Sequence, residues 1–165
     1  TSWSSIKILE LIIGIIASIA FILIQPLFGM LTLTSRHAAA YIEIGNYNVI
    51  VATILSWAVH ISVSVFYTFI SLSIYNFNHS ISVSFVQIIV LGWMTTLIAT
   101  PANEWVVKFI TTGQLTTISS LSDLNTQIGP KLWLHILFFA LVIVGISFTR
   151  FISFGNNQKP ITLLK

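Results

Sequence analysis

The sequence predicts an all-α, polytopic integral membrane protein: four transmembrane helices with a short interfacial helix in the third connection. Three observations predict it. Hydrophobic residues make up 56% of the 165 residues. Charged residues make up only 7%, against roughly 25% in soluble domains. The apolar residues gather into four runs, each near the roughly 20 residues a helix needs to cross a hydrocarbon core about 30 Å thick. Backbone groups in lipid must be bonded within their own segment, which makes helices the expected form. The mean hydropathy is +0.96. A water-soluble fold of this length needs a more charged surface, so the composition argues against a cytosolic globular enzyme and against a disordered chain.

The first span reads as Leu11 to Leu33, preceded by Lys7 and Glu10. Ser18-Ile19-Ala20 would pass as a cleavage tripeptide, but the apolar run continues straight past it. The segment is therefore read as a retained span. Gln25-Pro26 lies inside it and predicts a kink or an early helix end, because proline lacks a donor and clashes with the preceding turn. The second span, Val49 to Tyr75, carries no formal charge. A short turn, Asn76 to Ser80, leads to the third span, Ile81 to Thr100, also uncharged. Its Ser, Val and Ile content alone would suit a strand; its length favours a helix.

Thr100 suits a helix cap and Pro101 a first helical position. Trp105, Val106, Phe109 and Ile110 then share one face, which predicts the short helix lying in the interface. Thr111-Thr112-Gly113 ends it, and the Ser/Thr-rich stretch to Gly129-Pro130 reads as a loop. The fourth span runs from Leu132 to about Arg150, with Lys131 before it. The four spans, at about 11–33, 49–75, 81–100 and 132–150, make one four-helix domain over residues 1–165. An even number of spans puts both termini on one side, with Lys7, Arg150, Lys159 and Lys165; Arg36, Lys108 and Lys131 fall on the other. Four against three favours termini inside.

The chain has no cysteine, which removes disulfides, thiolate catalysis and thiolate metal sites. Its basic residues are scattered, so no nucleic-acid footprint appears. The clearest chemical pattern lies in the second span. Thr53, Ser56, Trp57, His60, Ser64, Tyr67, Thr68 and Ser71 recur at intervals of three and four, which makes one polar stripe along a helix. In lipid such groups need partners, so the stripe is expected to face the bundle interior as helix–helix glue, or to line a polar cavity or proton path.

His60 is its focal residue, about 16 Å into the helix by the helical rise. An intramembrane ionisable group is a functional candidate by default. His135 lies near the start of the fourth span, about 5 Å below its end. Histidines on two membrane helices raise the question of haem b. Iron ligands must share a depth, and these differ by about 10 Å when counted from their own helix starts. No cofactor is predicted on that ground, with haem b or quinone binding at His60 and His135 kept as an alternative. His37 and His79 fall in connections on opposite sides. Glu43, Glu104 and Asp123 read as solvated carboxylates, and no metal-ligand spacing, serine triad or phosphate loop is visible. Gly14 and Ser18 form a small-x-x-x-small pair suited to close helix approach. Trp3, Trp105 and Trp133 fall near expected interfaces.

From Ala38 onward the chain resembles the YagU family of small bacterial inner-membrane proteins. The residues that carry the resemblance are Ala38-Ala39-Ala40-Tyr41, His60-Ile61-x-x-Ser64-Val65, Pro101, and His135-Ile136-Leu137-Phe138-Phe139. It implies an inner-membrane protein linked with acid stress and supplies no catalytic residue. The expectation is a non-catalytic membrane protein, an accessory or structural subunit packed in the bilayer against partner chains or further copies of itself. The alternatives are a small transport or proton-relay module centred on His60 and a haem- or quinone-binding electron-transfer subunit.

Overall fold

A computed structural model describes the backbone of residues 3–156 and the side chains of residues 8–153. The described chain is helical, with no strand among the described residues: α1 (Trp3–Ile24), α2 (Leu33–Gly45), α3 (Val49–Phe77), α4 (Ile81–Thr112) and α5 (Pro130–Asn156), plus two short 3-10 turns. Four segments are long and apolar enough to cross a membrane: Ile8–Phe28, Val49–Phe77, Ile81–Thr112 and Pro130–Ser153. The predicted fold class is present, with spans longer than expected at the ends of the second, third and fourth.

Each boundary has a local cause. α1 stops at Ile24, and a 3-10 turn over Gln25–Phe28 carries Pro26 in its first positions, as proline's missing donor demands. Gly29 closes the turn in the left-handed region at φ 72°, where a side chain would be strained. The buried Gln25 side chain then accepts the backbone N–H of Leu33 at 2.6 Å, which ties the end of α1 to the start of α2. Thr32, Asn48 and Ser80 cap α2, α3 and α4 through their side-chain oxygens. Asn46 ends α2 at φ 53°, a conformation asparagine tolerates.

α2 is an element that the sequence reading merged into the first span and the connection after it. Its inward face carries Thr34, His37 and Tyr41, all buried, at the spacing of one helical stripe. Tyr41 packs with Ala52 of α3 and Val107 of α4. At 29 and 32 residues, α3 and α4 are about 43 and 48 Å long, well beyond a hydrocarbon core of about 30 Å. Their extra turns stand at one end of the bundle, and α2 packs there. Below it, Ala17, Phe21, Leu72, Leu91, Phe138, Phe139, Val142 and Ile146 fill the core between α1, α3, α4 and α5. Gly92 sits so close to Ile136 that an added Cβ would lie 3.0 Å from its Cα, so small size sets the α4–α5 crossing.

The expected separate interfacial helix is not there: α4 runs unbroken through Pro101. Proline at 101 leaves the carbonyl of Leu97 without its helical donor. The backbone N–H of Asn125, from the long connection, takes that place at 3.0 Å. Ser122 adds its backbone N–H at 2.9 Å and its hydroxyl at 2.6 Å to Glu104. The loop thus straps itself to α4 and satisfies the position where a new helix was expected to begin. Trp105 lies on the continuous helix, stacked on Phe109 at 5.5 Å.

Candidate functional site at the α2 end

A cavity of about 310 Å³ opens where α1, α2, α4 and α5 meet, within the size range of ligand sites. Its apolar lining includes Phe21, Met30, Leu33, Ala40, Ala99 and Leu134. Interspersed with these on the same helices are Arg36 and His37 from α2, Asn103, Glu104 and Lys108 from α4, and Lys131 and His135 from α5. The Gln25–Pro26 break makes this possible, because it lets α2 leave the line of α1 and lay Arg36 and His37 over the end of the bundle.

Glu104, read from the sequence as a solvated carboxylate, is committed instead. One oxygen accepts Lys108 Nζ at 3.0 Å and the other accepts Ser122. His37 is only 6% exposed, and its Nε2 has no hydrogen-bond partner. Burial, with the Arg36 charge beside it, pushes the imidazole down to about 4, against a smaller opposing contribution from Asn103. Burial also lowers the pKa of Arg36. The Tyr41 hydroxyl is likewise buried and unpaired, and its pKa is raised, first by burial and then by Tyr47.

His60 and His135 flank the same Phe21 ring. Each ring centroid is 5.5 Å from that of Phe21, and both rings line one small cavity of about 50 Å³ with Ser64 and Thr95. His60 Nε2 donates to the Ser18 carbonyl at 2.8 Å. His135 Nδ1 donates to the Lys131 carbonyl at 2.7 Å, with Thr96 Oγ1 at 3.1 Å as a second acceptor. To hold a haem iron as a pair, His60 would have to release its Nε2 from Ser18, and both imidazoles would have to turn past the Phe21 ring they contact.

The polar stripe of α3 is buried at Ser56, His60, Ser64, Thr68 and Ser71. Thr53 is not part of it: its side chain is exposed and donates back to the Val49 carbonyl at 2.8 Å. Ser56 and Thr68 also donate within their own helix. Of these groups, His60 reaches another helix. The hydroxyls help mainly by being small, as where Gly14 meets Val65 and Thr68. Ser71 Oγ and both amide atoms of Gln87 are buried without partners, further along the bundle. His79 lies at the far end, beside Tyr75. Among the described residues, no three His, Asp or Glu side chains are grouped to hold a metal ion.

Sequence reasoning named His60 and His135 but missed the Arg36–His37 part of the lining. The available signal was the Gln25-Pro26 break followed by Thr34, His37 and Tyr41 at helical spacing. Compared with protein-family models, curated proteins and solved structures, the chain matches none.

Proposed function

We propose that the chain is a non-catalytic integral membrane protein that binds an amphipathic ligand in the cavity under α2, as an accessory subunit beside partner membrane chains or further copies. The observation that carries this reading is the mixed lining of the cavity, apolar side chains together with Arg36, Lys108 and Lys131, at the end of a four-span bundle. Glu104 is held by Lys108 and Ser122, and His135 by the Lys131 carbonyl, which leaves the Arg36 and Lys131 side chains for a ligand. The likeness to the YagU family supports an inner-membrane setting. The basic residues Lys7, Arg150, Lys159 and Lys165 against Arg36, Lys108 and Lys131 support cytoplasmic termini.

Native mass spectrometry from mild detergent tests the reading. Ala99 lines the cavity, so Ala99→Phe fills it. Wild type should retain a bound adduct that Ala99→Phe loses, while Ala58→Phe on the exposed face of α3 keeps it. Identical spectra for all three proteins would contradict the proposal.

A further inference from the structure

We propose that the occupant of this cavity is a phosphate-headed lipid, its phosphate held between Arg36 and Lys131 and its chain laid against Phe21, Met30 and Leu33. The inference rests on the reading of the cavity as a ligand site and adds the chemistry of the ligand.

The first observation is charge. Three cations, Arg36, Lys108 and Lys131, line the cavity against one carboxylate, Glu104. That carboxylate is already matched with Lys108 at 3.0 Å. Among the described residues, Arg36 and Lys131 are in no ion pair, so the lining keeps an excess of positive charge. A phosphate offers several acceptor oxygens, and a guanidinium from α2 and an ammonium from α5 lining one cavity match it.

The second observation is the apolar part of the lining. Inorganic phosphate would leave Phe21, Met30 and Leu33 uncovered, whereas an acyl chain covers them. The cavity reaches the surface beside Ile44 and Thr100, both exposed, so a chain longer than the cavity has an exit between α2 and α4. A zwitterionic choline head fits less well, because it brings a third cation toward Arg36 and Lys131.

The test uses the purified full chain, first delipidated in detergent, with lipids of matched acyl chains added before native mass spectrometry. Phosphatidic acid should be retained at least about tenfold more tightly than phosphatidylcholine, with diacylglycerol as weak as the choline lipid. Inorganic phosphate at equal concentration should not displace it, and added salt should weaken it. Arg36→Gln with Lys131→Gln should abolish the preference, while Arg150→Gln at the opposite end preserves it. The wild-type series needs no variant and stands even if the double substitution fails to accumulate. Equal retention of the three lipids would overturn the phosphate assignment and leave the cavity reading in place. Displacement by inorganic phosphate would overturn the lipid and point to a free anion. Absence of any bound lipid or anion would overturn the cavity reading itself.

Discussion

Replacing Gly92 by alanine perturbs the crossing of α4 and α5. The added Cβ would meet Ile136 at 2.7 Å from Cγ1, 3.0 Å from Cα and 3.1 Å from the backbone nitrogen. The side chain can turn away, but two of the three atoms are backbone, so α4 and α5 must part by a few tenths of an ångström. Overpacking of this kind costs about 1–3 kcal/mol. Alanine also gains about 1 kcal/mol of helix propensity over glycine, which offsets part of it. Gly145→Ala has the same propensity gain but meets only side-chain atoms of Ile13, the nearest at 3.3 Å. The difference between the two variants removes the propensity and isolates the crossing, at about 1–3 kcal/mol. The assay is unfolding of both variants and wild type in one detergent. Gly92→Ala should be the less stable of the two, and Gly145→Ala equal to wild type or better. If Gly145→Ala lost as much as Gly92→Ala, α4 and α5 would not cross at Gly92.

Three further perturbations separate the parts of the site. His37 sits at about 4 in the folded chain and about 6.5 when α2 is undocked, so the undocked state takes up a proton first as pH falls. Docking of α2 should therefore weaken between pH 6.5 and 4, by up to about 3 kcal/mol, seen as faster hydrogen exchange over residues 33–45; pH-independent protection would refute it. His60→Leu should cost about 0.5–2 kcal/mol through the lost bond to Ser18, while Phe66→Leu on the exposed face costs less; equal losses in melting would place the buried face elsewhere. Gln87→Leu removes two unpaired buried amide atoms and should leave melting unchanged or raise it; a loss above about 1 kcal/mol would mean the amide has a partner.

The spans were legible because burial in lipid demands continuous apolar runs, and 49–77 and 81–100 carry no charge to interrupt them. The stop at Pro26 was legible for the same local reason, since a missing donor acts on its own turn. Pro101 shows the limit of that logic. The same missing donor breaks nothing there, because Asn125, 24 residues later, supplies an N–H to Leu97. The meeting of His60 and His135 at Phe21 also escaped the sequence, because which residues of separate helices meet is set by tertiary packing. Thr53 fitted the stripe by spacing and lies outside it by one turn of drift, as it approaches the exposed end of α3. Arg36 and His37 were visible as residues, but their place over the cavity depends on α2 folding across the bundle.

That placement of α2 is what the cavity, the lipid and the His37 predictions share, and one disulfide tests it. An added Cβ at Gly45, at the end of α2, would lie 3.4 Å from Thr111 Cβ on α4, close to the 3.5–4.5 Å typical of a bridged pair. The native chain has no cysteine, so Gly45→Cys with Thr111→Cys gives an unambiguous reading by mobility shift under mild oxidant. The account predicts rapid bridging for this pair and none for Gly29→Cys with Thr111→Cys, since Gly29 has no neighbour within 4 Å. No bridge at 45–111, or equal bridging at 29–111, would contradict it and remove the roof from the cavity.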